Sequence, residues 1–235
     1  MWFLAMVIFA NELSSVSAVG FFGGTFNPVH IGHLRAALDC LEALNLDQIA
    51  LLPAASPPLK EAPLVAAEQR AEMLQLAVSG TAGLTVDCRE LSRPGLSYTV
   101  DTLAELRSEY PKDTSITFVI GMDSLINLHQ WHEWPRLFDL ANIAIMARPG
   151  VSPRLDSDVK RAVESRICLP DEIRSRPAGG VTFVDQPPLD VSSTAVRSAL
   201  MRGKNVQFLL PEAVIEYIVT NKLYDSSNTD HRGGH

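Results

Sequence analysis

Residues 18–33 read Ala-Val-Gly-Phe-Phe-Gly-Gly-Thr-Phe-Asn-Pro-Val-His-Ile-Gly-His, and this stretch decides the fold. Its first five residues form a short apolar run, which predicts a buried strand. Two glycines then mark a turn in which the backbone can approach a ligand closely and present its N–H groups. Apolar side chains recur at helical spacing from Ile31 to Leu44, so the sequence predicts a strand–turn–helix unit.

The same alternation of apolar runs and helical periods continues along the chain. Further strands are expected at 49–52, 84–86, 116–120, 143–147 and 182–184. Further helices are expected at 66–78, 98–110, 194–201 and 211–221, with Ser97 as the cap of the second and Pro211 at the first position of the last. Uninterrupted apolar runs are typical of parallel strands buried on both faces. The pattern therefore predicts an α/β fold with a doubly wound parallel sheet, whose ligands bind at the carboxyl ends of the strands.

The domain organisation follows from the same reading. Residues 18–224 are expected to form a single domain, and the polar residues 225–235 a disordered tail. Residues 1–17 begin with ten almost wholly apolar residues, which are too few to span a bilayer as a helix. Because no Lys or Arg precedes Arg35, the segment lacks the basic start of a secretory signal, and we interpret it as an extension. The small residues at 15–17 still leave cleavage and export open.

Composition narrows the classes of function. The chain has 27 acidic and 20 basic residues, a net charge of −7, which argues against a protein that grips nucleic acid through bulk positive charge. A small anion could still bind in a local basic pocket. The three cysteines form no CxxC pair, so neither a zinc site nor a disulfide framework is indicated. The expectation is a cytoplasmic protein without membrane contact.

Two histidines three residues apart give the first turn its chemistry. His30 and His33 fall at the start of the helix near Ile31, where unpaired N–H groups and the helix dipole favour an anion. Residues at this spacing share one helix face, so both rings can reach one phosphate chain. Gly32 removes a side chain that would crowd the ligand. A tight turn with two capping histidines is the alternative, and the full string favours the phosphate site.

Four other segments place polar groups beside predicted strands or helix starts. Residues 192–194 offer hydroxyls at a helix N-terminus, with Arg197 one turn along as a charged fork. By itself such a segment is more often an ordinary capped helix with a surface arginine. Asp123 follows a buried strand and could bond ribose hydroxyls. Lys60 lies in a loop stiffened by prolines, and Arg148 follows the 143–147 strand.

These residues resemble the HxGH nucleotidylyltransferase superfamily. The longer string is similar to the nicotinate/nicotinamide mononucleotide adenylyltransferases, and most of all to the bacterial nicotinate-nucleotide branch. The resemblance extends from about Ala18 to Tyr224 and implies a Rossmann-like nucleotidylyltransferase fold. It also rests on Pro57-Pro58-Leu59-Lys60, Ser97-Tyr98-Thr99, Gly121-Met122-Asp123-Ser124-Leu125, Trp131, Ala147-Arg148-Pro149 and Val191-Ser192-Ser193-Thr194-Ala195-Val196-Arg197.

The resemblance implies transfer of AMP from ATP to nicotinate mononucleotide, giving deamido-NAD and pyrophosphate, with Mg²⁺ arriving on ATP and no metal site of the protein's own. The implied catalytic residues are His30, His33, Lys60 and Arg197. The implied ATP-binding residues are Gly23, Gly24, Thr25, His33, Gly121, Asp123, Arg148, Ser193, Thr194 and Arg197. The implied pyridine nucleotide-binding residues are Asn27, Ser97, Tyr98, Thr99, Trp131 and His132.

Two positions depart from the family pattern. Family members usually carry aspartate at Asn27 and often histidine at Leu59. If the aspartate charge orients a histidine, asparagine should lower activity, and if it only shapes the loop, little should change. The open alternatives are a nicotinamide mononucleotide or phosphopantetheine acceptor, and a nucleotide sensor without catalysis. His30-Ile31-Gly32-His33 also spells the HIGH signature of class I aminoacyl-tRNA synthetases, but the chain is short for one and lacks a KMSKS-like loop.

Overall fold

One six-stranded sheet organises the chain. In the computed structural model, residues 16–59, 63–147, 154–185 and 189–225 are described. All strand pairs are parallel, and the order across the sheet is β3-β2-β1-β4-β5-β6. The strands are β1 Ala18–Gly24, β2 Gln48–Pro53, β3 Leu84–Val86, β4 Ser115–Gly121, β5 Asn142–Ala147 and β6 Val181–Asp185. The predicted doubly wound parallel sheet is confirmed.

Helices cover both faces of the sheet, which is why its strands are apolar on both sides. The helices are α1 Ile31–Ala43, α2 Ala67–Val78, α3 Thr99–Glu109, α4 Met122–Ile126, α5 Leu137–Leu140, α6 Ser157–Glu164, α7 Ser193–Met201 and α8 Glu212–Thr220. The first core cluster contains buried side chains of α1, α2, α7 and α8. The second contains those of α3, α4, α5 and α6. Alternate residues of β1 divide between the two, with Phe22 in the first and Phe21 in the second.

Several helix starts differ from the sequence prediction. Ser97 does not cap α3, because Tyr98 is the N-cap residue and the Ser97 hydroxyl instead accepts the backbone N–H groups of Ala55 and Ser56. Pro211 is the N-cap of α8 and not its first residue. Helices α4, α5 and α6 were missed, since runs of four to eight residues carry little periodicity.

The strand order fixes where a ligand can bind. From β1 the chain moves towards β2 and β3, whereas from β4 it moves the opposite way, towards β5 and β6. A crevice therefore opens between the carboxyl ends of β1 and β4, which is where doubly wound sheets bind their ligands. Gly24 ends β1 and Gly121 ends β4.

The predicted extension and tail lie almost wholly outside the described residues, which begin at Val16 and end at Asp225. Within the described part of the chain, no helix is both long enough and apolar enough to cross a membrane.

Candidate functional site

A cavity of about 610 Å³ occupies the crevice at the carboxyl ends of β1 and β4. It brings together nine of the residues that the sequence singled out. These are Gly23, Gly24, Thr25, Ser97, Tyr98, Thr99, Asp123, Trp131 and His132. The wall also contains Glu90 and Phe118, which the sequence analysis did not select.

The paired glycines make room for aromatic rings beneath the turn. A Cβ on Gly23 would come within 2.8 Å of the Phe118 ring, and one on Gly24 within 2.8 Å of the Phe26 ring. Contacts this short require the ring or the backbone to shift. The turn thus depends on glycine for its own packing, a reason that the sequence interpretation, which considered only the ligand, did not give.

The two histidines of the turn lie against each other. Their rings stack with centroids 3.7 Å apart and an interplanar angle of 24°. The backbone N–H of His30 donates to Nδ1 of His33 at 3.3 Å, so a neutral His33 ring carries its proton on Nε2. A Cβ on Gly32 would lie 3.0 Å from Nδ1 of His30. Gly32 therefore gives space to the His30 ring, which corrects the expectation that it gives space to the ligand directly.

His30 is uncharged at neutral pH. Only 5% of its surface is exposed, and this burial lowers its pKa from 6.5 to about 4, against a weaker opposing effect of its own backbone. Its Nδ1 atom is buried and has no hydrogen-bond partner among the described residues. A buried polar atom without a partner costs about 1–3 kcal/mol, and such atoms are retained where function uses them.

The start of α7 is joined to the turn by hydrogen bonds. Ser192 caps the helix by accepting the N–H of Ala195, as expected. The Ser193 hydroxyl donates to Pro28 O at 2.9 Å, and Nη1 of Arg197 donates to Asn27 O at 2.7 Å. Nη2 of Arg197 contacts the Thr194 hydroxyl at 3.3 Å. These side chains hold the turn, a task that the phosphate-site prediction did not include.

Asn27 lies beneath the turn and does not line the cavity. Its side-chain oxygen accepts a 2.6 Å hydrogen bond from the Tyr224 hydroxyl, and both residues are buried. Burial raises the pKa of Tyr224, so the phenol remains a donor throughout the neutral range. The observed bond to Tyr224 supports the view that residue 27 shapes the loop.

Residues Ser97 to Thr99 place the N-terminus of α3 at the opposite wall. Among the described residues, no side chain caps this helix start. Trp131 is half-buried, and its ring lies edge-on to Phe118 with centroids 6.5 Å apart. The rings of Tyr98 and His132 lie 4.5 Å apart at the mouth. Trp131, Tyr98 and His132 form an aromatic slot beside the N–H groups at the start of α3. Such a slot suits a flat ring that carries a hydrogen-bond acceptor.

Asp123 lies at the carboxyl end of β4, where a ribose contact was expected. It is the second residue of α4 and is exposed towards the cavity. Its Oδ1 atom would lie 2.6 Å from a Cβ on Gly121, so the glycine lets the carboxylate fold back over the strand end.

Two side chains of this region were missed by sequence reasoning. Arg70 on α2 is 1% exposed, and it bonds backbone carbonyls of the turn after β1 and of the loop after β2. The available signal was its place on the same helix face as Met73 and Leu74, which are buried. Glu90 is also buried in the wall and accepts from the Thr102 hydroxyl at 2.7 Å, and burial raises its pKa. Glu90 sits in a polar stretch and gave no signal.

Two predicted cations, Lys60 and Arg148, lie outside the described residues. Among the described residues, no group of three or more His, Cys, Asp or Glu side chains is placed to hold a metal ion. The described site therefore offers N–H donors, imidazoles and a guanidinium around the crevice, a set suited to phosphate.

The crevice lies where the strand order reverses, between β1 and β4, which is where doubly wound sheets bind nucleotides. With donors suited to phosphate at this place, the fold and site define a nucleotide-binding α/β protein. The cytidylyltransferase-like family matches residues 21–199 of the chain. The chain belongs to this family and, within it, to the nicotinate-nucleotide adenylyltransferases.

Relatives of known name carry the second part of that assignment. A probable nicotinate-nucleotide adenylyltransferase of Pseudomonas putida strain GB-1 is 41% identical over 218 residues, 93% of this chain and 100% of the relative. One from Pseudomonas aeruginosa strain UCBPP-PA14 is 42% identical over 206 residues, 88% of this chain and 96% of the relative. The solved nicotinic acid mononucleotide adenylyltransferase of Plasmodium falciparum, complexed with NaAD, aligns with a TM-score of 0.66 at 18% identity. It covers 88% of this chain and 97% of its own, which shows the shared fold.

The buried state of His30 gives a prediction for its titration. Histidine-selective NMR over pH 3–8 should show one ring with a pKa near 4, and that signal should vanish in His30→Asn. Because the unfolded chain takes up this proton near pH 6.5 and the folded chain only near 4, the free energy of unfolding should fall as pH drops between these values. A shift of this size corresponds to about 3 kcal/mol. A His30 signal that titrates at 6.5 would contradict the account.

Proposed function

We propose that the chain transfers the adenylyl group of ATP to nicotinate mononucleotide, giving deamido-NAD and pyrophosphate. The observation that carries the proposal is the single cavity that joins two sites of different chemistry. On one side lies the glycine turn, which leads to the stacked pair His30 and His33 just beyond the cavity lining, and on the other the aromatic slot at the start of α3. The relatives named for this reaction match the chain over nearly its whole length.

The phosphate side supports binding of the ATP triphosphate. The start of α1 carries a partial positive charge, with His33 on its first turn, while the Ile31 N–H donates to Leu209 O and the His33 N–H to His30 O. With Nδ1 of His33 occupied by the His30 N–H, the Nε2–H is the donor that a phosphate oxygen would accept. Arg197 lies on the facing helix α7 and contributes a further charge. Lys60 and Arg148 belong to the same proposal as additional cations.

The pyridine side favours a carboxylate over an amide. A nicotinate carboxylate needs only donors, whereas a nicotinamide group also presents an N–H₂ that needs an acceptor. The start of α3 offers backbone N–H groups that no side chain caps, and its dipole favours a negative group. Trp131 would stack on the ring, with Tyr98 and His132 beside it. The helix start therefore supports nicotinate mononucleotide as the acceptor, with the buried Glu90 carboxylate in the same wall already accepting from the Thr102 hydroxyl.

The reaction is a direct displacement at phosphorus. A 5′-phosphate oxygen of the mononucleotide attacks the α-phosphorus of ATP, the bond to the bridging oxygen breaks, and pyrophosphate leaves with that electron pair. The attacking phosphate is already ionised near neutral pH, so no general base is needed. The protein supplies alignment and offsets the charge that develops on the leaving group. A neutral His30 behind His33 holds the donor ring in place without adding a proton.

Magnesium enters this proposal on the substrate. Mg²⁺ keeps several waters and bridges phosphate oxygens, so it needs no protein cage. The N–H donors of the crevice suit an anion, here the triphosphate of ATP, to which Mg²⁺ is already bound. Bound there, Mg²⁺ would neutralise charge on the triphosphate.

The direct test is release of pyrophosphate from ATP and Mg²⁺ by the purified protein. Nicotinate mononucleotide, nicotinamide mononucleotide and phosphopantetheine are supplied in parallel. We expect turnover with the nicotinate nucleotide and at least about tenfold lower kcat/KM with the amide, since the helix start offers N–H donors and its dipole favours a negative group. If folded protein that still binds ATP releases no pyrophosphate with any of the three acceptors, the proposal is wrong and a nucleotide sensor is favoured.

Loss of the His33 donor gives a second prediction. His33→Ala should lower kcat by at least about a hundredfold, the scale of removing one preorganised donor from a developing charge. His129→Ala is the matched control, because His129 is exposed on the short helix at 128–130 and lies outside the turn and helix α1 that carry His33. It should retain full turnover. A folded His33→Ala enzyme with near-normal kcat would refute the assigned role.

A further inference from the structure

A buried arginine beneath the cavity has no part in the reaction described above. Arg70 lies on α2, and its partners among the described residues are all backbone carbonyls. Nη1 donates to Thr25 O at 2.6 Å, and Nη2 donates to Ala54 O at 2.7 Å and to Ala55 O at 3.3 Å. Nε donates to Val65 O at 3.2 Å. One side chain thus joins the turn after β1 to the loop after β2.

Both of these segments form walls of the cavity. Thr25 and Ala54 both line it, and they follow neighbouring parallel strands, since Gly24 pairs with Pro53 and the Ala54 N–H donates to Gly24 O at 2.9 Å. Strand pairing sets the distance between the strand ends, and the planar guanidinium fork fixes how the two segments are placed beyond that pairing. No ion pair joins Arg70 to a carboxylate of the described chain, although Glu68 acts on it at longer range.

We propose that Arg70 is a positioning residue that holds the phosphate-binding turn in its working geometry and places an unneutralised positive charge beneath it. This inference rests on the adenylyl transfer proposed above. In a trans peptide the C=O and the N–H point in opposite directions. Because the Thr25 C=O points to Arg70, the Phe26 N–H of the same peptide points away from Arg70. The charge acts on the same turn, in a water-poor setting where it is weakly screened.

The chain offers a matched control in Arg107. Its guanidinium also bonds backbone carbonyls, those of Thr114 at 2.8 Å, Leu140 at 3.0 Å and Pro177 at 2.6 Å. These residues precede β4, β5 and β6, so Arg107 lies at the opposite edge of the sheet from the cavity. It carries the same kind of structural bonds without touching the site.

The experiment compares Arg70→Lys with Arg107→Lys. Lysine keeps the charge but cannot bridge carbonyls as a fork does. Calorimetry with α,β-methylene-ATP and Mg²⁺ should show Kd raised at least about tenfold in Arg70→Lys, and kcat with nicotinate mononucleotide should fall about a hundredfold, the scale of a misplaced reacting group. Arg107→Lys should lower Tm and leave Kd and kcat within twofold. Equal Tm losses with unchanged Kd and kcat in both variants would overturn the proposal.

A measurement on the wild-type chain covers the case in which Arg70→Lys does not fold. In ¹⁵N-arginine NMR, the Arg70 Nε–H signal should be protected from exchange and should shift when α,β-methylene-ATP binds, while that of Arg107 stays unchanged. An Arg70 signal indifferent to the nucleotide would overturn the proposal. If wild-type protein binds the nucleotide but releases no pyrophosphate with any acceptor, the proposed reaction fails instead, and the two failures are distinguishable.

Discussion

The geometry of the site depends on how the backbone carbonyls of the turn after β1 are satisfied. Arg70 from α2 holds Thr25 O, Arg197 from α7 holds Asn27 O, and Ser193 holds Pro28 O. Tyr224, beyond α8, holds the Asn27 side chain. Two helices distant in sequence and a residue beyond a third thus fix a four-residue segment, and rigid placement of this kind is what phosphoryl transfer asks of a protein.

The electrostatics of the site differ from those of the whole chain. The net charge is −7, yet the described residues around the turn present arginines and helix N-termini. Burial keeps His30 neutral, so the ring stacked 3.7 Å from His33 carries no charge. Arginines beside one turn of an acidic chain favour a small anion there and disfavour polyanions such as nucleic acid, consistent with the family assignment.

The sequence predicted what depends on local pattern. The β1–turn–α1 unit and the other strands follow from apolar runs and glycines within a few residues of each other. Long-range partners were not predictable. The Ser97 hydroxyl, expected at a helix cap, serves loop residues 41 and 42 positions away. Arg70 meets Thr25 across 45 positions, and Tyr224 meets Asn27 across 197. Only the buried face of α2, which carries a charge among apolar residues, signalled such a contact.

The most direct test of a preset turn is a pair of crystal structures, one ligand-free and one with α,β-methylene-ATP and Mg²⁺. The account predicts that the backbone of residues 25–28 moves by less than about 1 Å and keeps its bonds to Arg70, Ser193 and Arg197 in both states. A turn that rearranges by more than about 2 Å, with Arg197 released from Asn27 O to reach the phosphates, would contradict it.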